Sequence, residues 1–299
     1  MQKRFWLASL IALAMAIPGC SSGNSRTPAS PSSPPAPTPT PPAPVQDVFY
    51  TAIGASDAVG VGASVICIPL APCPDGTGYV PIIARRLATG RTVTLTNLGI
   101  PGAVLSPRIQ ALGLQYGRSI PGNFLDQSVR LVPATTTVVT IFAGGNDVNA
   151  IGTAIDRGAA GNDVSGYIAS QVGQFGDELT SLISGVRSRA PNARIVIANL
   201  PNLGALPYAQ SFNAVQRGIL TQLSVGFTRQ AINPLAAQGI PVVDTLCDPR
   251  AYDRSYYSSD GFHPSDAGYT FLAEGLYTAI TSTSYPPPSA ACSQATTAR

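Results

Sequence analysis

Apolar and polar positions along this chain follow two periods. Short runs rich in β-branched residues recur at residues 48–53, 92–97, 137–142, 194–198 and 241–243, and each predicts a strand. The run at 137–142 is almost wholly β-branched, which predicts a strand buried on both faces. Between these runs the apolar positions take helical spacing. At residues 164–189 the stripe is Ile168, Val172, Phe175, Leu179, Leu182, Ile183 and Val186, one face of a long helix. Residues 79–87, 215–237 and 267–280 also read as helices. Residues 106–132 carry no clear period and are expected to be loops with some helix.

Strand–helix alternation predicts an α/β fold: three α/β/α layers around a central, mostly parallel sheet of about five strands. No internal repeat is visible. In such sheets ligands bind beyond the carboxyl ends of the strands, so the residues that follow each strand are where chemistry is sought.

The two ends break the pattern. Lys3 and Arg4 precede an apolar run at 5–16 and the small-residue stretch Ile17-Pro18-Gly19-Cys20, the layout of an export signal over 1–19. That run is too short for a comfortable membrane span. Residues 20–46 are mainly Ser, Pro, Thr and Ala, a composition with little to bury that predicts an extended linker. Residues 47–284 fit one domain of ordinary size. Residues 285–299 form a tail opened by Tyr285-Pro286-Pro287-Pro288, which stops regular structure.

Charge excludes one class of partner. With Lys3 and Arg4 set aside, 16 basic residues face 15 acidic ones, and no basic run marks a nucleic-acid surface. Cysteine usage points to an oxidising compartment. Cys67, Cys73, Cys247 and Cys292 are an even set behind an export signal, as in a disulfide framework. Three pairings are open; Cys67–Cys73, closing a short loop, with Cys247–Cys292, pinning the tail, is preferred. A zinc site is the rival. It is weakened by the lack of a Cys-x-x-Cys pair and by other demands on the one histidine.

That histidine, His263, sits in Asp260-Gly261-Phe262-His263-Pro264. A carboxylate three residues upstream can hold one ring nitrogen and leave the other as a base, or the pair can be only a local turn contact before the next helix. After the first strand comes Gly54-Ala55-Ser56-Asp57, where Ser56 is a nucleophile or a plain helix cap. After the second comes Asn97-Leu98-Gly99-Ile100-Pro101-Gly102, which brings bare backbone close to a ligand or makes a tight turn. After the third comes Gly144-Gly145-Asn146-Asp147, where the Asn146 amide is an oxyanion donor or part of another turn. Together these pieces are the inventory of acyl transfer from an ester.

The order and local sequence of the four blocks resemble the SGNH subgroup of the GDSL hydrolases, a family with a flavodoxin-like α/β/α fold, and Asn199-Leu200-Pro201-Asn202-Leu203-Gly204-Ala205-Leu206-Pro207 resembles a segment of its lipase-like members. The resemblance implies that Ser56 is the nucleophile, His263 the general base and Asp260 its orienting carboxylate. It implies an oxyanion hole from the N–H groups of Ser56 and Gly102 and the side chain of Asn146, with Gly99 the alternative to Gly102. It calls for no metal and no cofactor. The chain departs from the family at Ala55, where an aspartate is usual, and carries Asp57 after the serine instead.

Cys20 and the residues before it resemble a bacterial lipobox, which implies lipid attachment at Cys20 and tethering to a membrane. Ser21 after that cysteine resembles the pattern of outer-membrane retention. The expectation is therefore an exported, lipid-anchored serine esterase or lipase of the cell envelope, monomeric, acting on small-molecule, lipid or acetylated-sugar esters. The alternatives are an acyltransferase using the same residues and a non-catalytic binding lipoprotein of the same fold.

Overall fold

The computed structural model describes residues 46–296. The signal, the lipid-bearing Cys20 and nearly all of the linker expected from the sequence lie outside these residues. Five strands, β1 (Val48–Gly54), β2 (Val93–Asn97), β3 (Val138–Phe142), β4 (Arg194–Ala198) and β5 (Val242–Val243), form one sheet in the order β2-β1-β3-β4-β5. Every pairing is parallel. The order reverses between β1 and β3, which lie side by side, with the next strand of each on its far side. This is the switch point at which α/β sheets open a crevice beyond the strand ends.

Alternate residues of the strands feed two cores, as a period of two requires. Ile53, Val139, Ile141, Ile195, Ile197 and Val242 face one side. There they meet α3 (Pro107–Gln115), α5 (Gly145–Asp156), α6 (Val164–Arg189) and α7 (Ala214–Gly226). Tyr50, Ala52, Val138, Val196, Ala198 and Val243 face the other side, against α2 (Tyr79–Leu87) and α8 (Asp266–Thr281). The result is the three-layer α/β/α architecture. The β-branched β3 is buried along its first four residues, whereas β2, at an edge, stays half exposed.

The long helix α6 buries the predicted stripe from Ile168 to Val186. Asp163 caps it by accepting from the Gly166 N–H, and it ends one residue before Ala190, which precedes Pro191 and is thereby pushed out of helical geometry. Residues 215–237, expected as one helix, are not one. α7 stops at Gly226, a wider turn runs over Phe227–Ile232, and tighter turns follow over Asn233–Gln238. Pro234 supplies the reason: it has no N–H and its ring collides with the carbonyl one turn back. The wide turn keeps Phe227 stacked on Phe175 of α6, with ring centroids 3.8 Å apart.

Two other stretches gained order. Within 106–132 the chain forms α3, capped by Ser106, a wide turn over Phe124–Ser128 capped by Asn123, and the single turn α4 (Val129–Leu131). The Gly-Gly-Asn-Asp block, readable as a turn, opens the 12-residue α5. Glycine and asparagine are weak helix formers, so the helix is held by burial of Val148, Ile151 and Ile155 rather than by propensity. The tail does not hang free. Cys247–Cys292 and Cys67–Cys73 are both bonded, Ser289 N–H donates to Asp244, and Arg229 donates to the Ala290 carbonyl.

Candidate active site

β1 ends at Gly54, and after Ala55 the chain turns at once into the one-turn helix α1 (Ser56–Val59). Ser56 is the first residue of that turn, so its N–H lies outside the intrahelical bonding, and its side chain is buried. Ser56 Oγ lies 2.8 Å from His263 Nε2.

His263 is held by a turn built around Asp260. Oδ1 accepts from Ser258 Oγ, from the Phe262 N–H and from the His263 N–H, at 2.8–2.9 Å. That leaves Oδ2 for the ring, 2.6 Å from His263 Nδ1. Partial burial pulls the Asp260 carboxyl upward, but its hydrogen bonds, that from the His263 side chain foremost, outweigh this and hold it at about 2. An ionised Asp260 only accepts. The ring proton therefore belongs on Nδ1, and Nε2 is free to accept from the Ser56 hydroxyl. Both readings of His263 are thus present in one residue: a local turn contact on one nitrogen, a remote hydroxyl on the other.

The loop is clamped from outside. The Ser258 N–H donates to the His263 carbonyl at 2.8 Å, the Tyr208 N–H donates to the Gly261 carbonyl at 3.1 Å, and Ser265 caps α8 just beyond. Gly62 packs so closely that a Cβ there would fall 2.9 Å from His263 Cβ and 2.7 Å from the Pro264 carbonyl; only glycine fits.

The oxyanion-donor candidates divide. Gly99 is spent: its N–H donates to Asn97 Oδ1 at 3.0 Å. Gly102, at φ +79°, bonds its N–H to no acceptor among the described residues. Asn146, near the start of α5, donates one N–H of its amide to the Ala103 carbonyl at 3.0 Å and has the second to offer. Asp147, the next residue, accepts from the Leu105 N–H at 2.9 Å. Consecutive side chains of α5 therefore grip the loop that carries Gly102 at two points. Asp147 is fully buried; burial foremost, helped by nearby Glu178 and only partly opposed by the Leu105 bond, pushes its carboxyl up to about 7.

A cleft opens at the switch point. Asp57, Ala103, Asn146 and Phe262 line it, and Leu200, Leu203 and Leu206 form an apolar wall. Ala55 and Asp57 flank Ser56, and Phe262 and Pro264 flank His263, so the serine–histidine pair borders the cleft. Gly102 stands one residue outside its lining. The wall residues are legible in the sequence only as part of the 199–207 segment, and no local pattern gives Asp57 or Asp147 a role, since burial and the cleft set both. No cluster of three or more His, Cys, Asp or Glu side chains suited to a metal occurs among the described residues.

The arrangement has the parts for nucleophilic attack on a carbonyl: a hydroxyl against an imidazole nitrogen, an orienting carboxylate, and N–H donors close by. Comparison with known proteins agrees in kind. The sequence pattern of the GDSL-like Lipase/Acylhydrolase family matches residues 52–271. The fold is similar to a lipase from a goat rumen metagenome, at TM-score 0.54 and 21% identity over 78% of this chain and 97% of that one. It is also similar to an extracellular lipase from Streptomyces rimosus, at TM-score 0.53 and 18% identity over 78% and 99%. No match is found among curated proteins.

Proposed function

Because the chain belongs to the GDSL-like lipase/acylhydrolase family and is a carboxylic ester hydrolase, we propose that Ser56, His263 and Asp260 carry out the hydrolysis through an acyl-enzyme. Ser56 Oγ attacks the ester carbonyl while its proton passes to His263 Nε2. The carbonyl oxygen becomes an oxyanion that receives the N–H groups of Ser56 and Gly102 and the free N–H of Asn146. The intermediate collapses, and His263 delivers its proton to the departing alcohol. Water, activated by the same nitrogen, then releases the acid. Asp260 stays ionised and stabilises the imidazolium.

One observation carries this reading: His263 contacts Ser56 through Nε2 at 2.8 Å and Asp260 through Nδ1 at 2.6 Å. The departure at Ala55 removes none of these contacts. Hydrolysis of a short p-nitrophenyl ester by the wild-type chain and by Ser56→Ala tests it; equal rates would overturn the serine mechanism.

The finer reading is an exported, lipid-anchored enzyme of the bacterial cell envelope. Residues 1–19 are the signal, Cys20 carries the lipid, 20–46 tether the catalytic domain of 47–284, and 285–299 form the tail, tied to the domain at Cys292. The lipobox-like Ile17-Pro18-Gly19-Cys20 supports the anchor. The two disulfides support export, since such bonds form and persist in oxidising compartments.

A further inference from the structure

Asp57 is the only carboxylate among the residues lining the cleft. It follows Ser56 directly, and its carboxyl has neither a cation nor a side-chain donor among the described residues. The other polar side chains of the lining are at least partly committed. Tyr257 donates its hydroxyl to the Ala251 carbonyl, and Asn146 donates to the Ala103 carbonyl. The rest of the lining is mostly apolar. Asp57 is half-buried, so its carboxylate meets the solvent of the cleft, and a substrate hydroxyl entering there takes the place of that water as donor.

Leu200, Leu203 and Leu206 form a wall suited to an acyl chain. Asp57 directly follows Ser56 and shares the cleft lining with Phe262 and Pro264, the two neighbours of His263, the residue that returns a proton to the leaving alcohol. Burial pushes the Asp57 carboxyl above the ordinary aspartate value, His263 pulls it back, and Asp260 adds to the rise.

We propose that Asp57 binds substrate by accepting a hydrogen bond from a free hydroxyl on the alcohol portion of the ester, so that the enzyme favours esters of polyols over esters of plain alkyl alcohols. This rests on the ester-hydrolase reading above. Glycerol and sugar esters share the required chemistry, a hydroxyl beside the esterified carbon. The usual aspartate before the nucleophile is absent here, and Asp57 places a carboxylate after the nucleophile, against the cleft.

The test compares three acetyl esters that differ only in alcohol: ethyl acetate, glycerol monoacetate and a monoacetylated methyl xyloside. The readout is the ratio of kcat/KM for each hydroxylated ester to that for ethyl acetate, in the full chain. Asp57→Ala should lower that ratio roughly ten- to a hundredfold, the range for a hydrogen bond to a charged group, and Asp57→Asn, which can still accept, should recover part of it. A fall confined to the glycerol ester, or to the xyloside, identifies which polyol is recognised. A merely structural role would lower all three rates together and leave the ratios where they were. If wild type cleaves all three esters and neither variant moves a ratio, the role of Asp57 is overturned while ester hydrolysis stands. If wild type cleaves none of them, both readings fall.

Discussion

Ser56 Oγ and His263 Nε2 lie 2.8 Å apart although 207 residues separate them in the chain. Their meeting depends on the end of β1 and on the turn that leads into α8, with Tyr208 and Gly62 holding that turn in place. His263→Ala should lower kcat for a p-nitrophenyl ester about 10⁴-fold or more, with the fold intact by circular dichroism. Asp260→Ala should cost less in kcat but should also loosen the turn, because it removes the acceptor for Ser258, Phe262 and His263 at once.

Asn146 offers a donor that counts most when the oxygen is charged. Asn146→Ala is expected to lower kcat about a hundredfold with little change in KM. Steady-state kinetics separates the two parameters, and a rise in KM at constant kcat would place Asn146 in ground-state binding instead.

Asp147 makes stability depend on pH in an unusual direction. Its carboxyl is raised by burial to about 7, so the folded protein holds a proton there that the unfolded chain releases near pH 4. The contribution to stability is complete below that value and is lost as pH rises toward 7. Asp147→Asn keeps an acceptor for the Leu105 N–H and cannot titrate. Urea midpoints measured from pH 4 to 8 should fall more steeply for wild type than for the variant, by roughly 1–4 kcal/mol across the range. Parallel slopes would show that Asp147 is not the group responsible.

The two disulfides should differ in weight. Cys247–Cys292 closes a separation of 45 residues, Cys67–Cys73 one of 6. Chain-entropy reasoning assigns about 4 kcal/mol to the first and about 2 kcal/mol to the second. Paired Cys→Ser variants, compared by thermal unfolding, should therefore rank with Cys247→Ser/Cys292→Ser the less stable.

Anchoring through Cys20 predicts that Cys20→Ala moves the protein from the membrane fraction to the soluble fraction of the envelope while ester hydrolysis continues. Unchanged partition after fractionation would remove the lipid anchor from the account.

Much of the framework was legible because it is local. The seven-residue apolar stripe of α6 and the β-branched run of β3 each encode one element through a period that neighbouring residues set among themselves. The motif blocks at Ser56, Asn146 and His263 could be named for the same reason, each being short and continuous. α5 was missed because its first residues favour a turn and only burial makes them helical. The segment after Gly226 was misread because Pro234 interrupts a pattern that apolar spacing alone would continue.

By itself the sequence determined the strands, the long helix α6, the candidate chemistry and the choice between an α/β sheet and its rivals, since those follow from side-chain period and residue type. The tertiary structure alone decided which residues meet. Placing β1 beside β3 brings the turn after one strand next to the helix after the other, and only then do Ser56, Asn146 and the distant His263 border one cleft. It also spent the amide of Gly99 on Asn97, left that of Gly102 open, buried Asp147 and set Asp57 in an apolar cleft without a partner. Burial and hydrogen-bond commitment are sums over neighbours from remote parts of the chain, so no stretch of sequence carries them on its own.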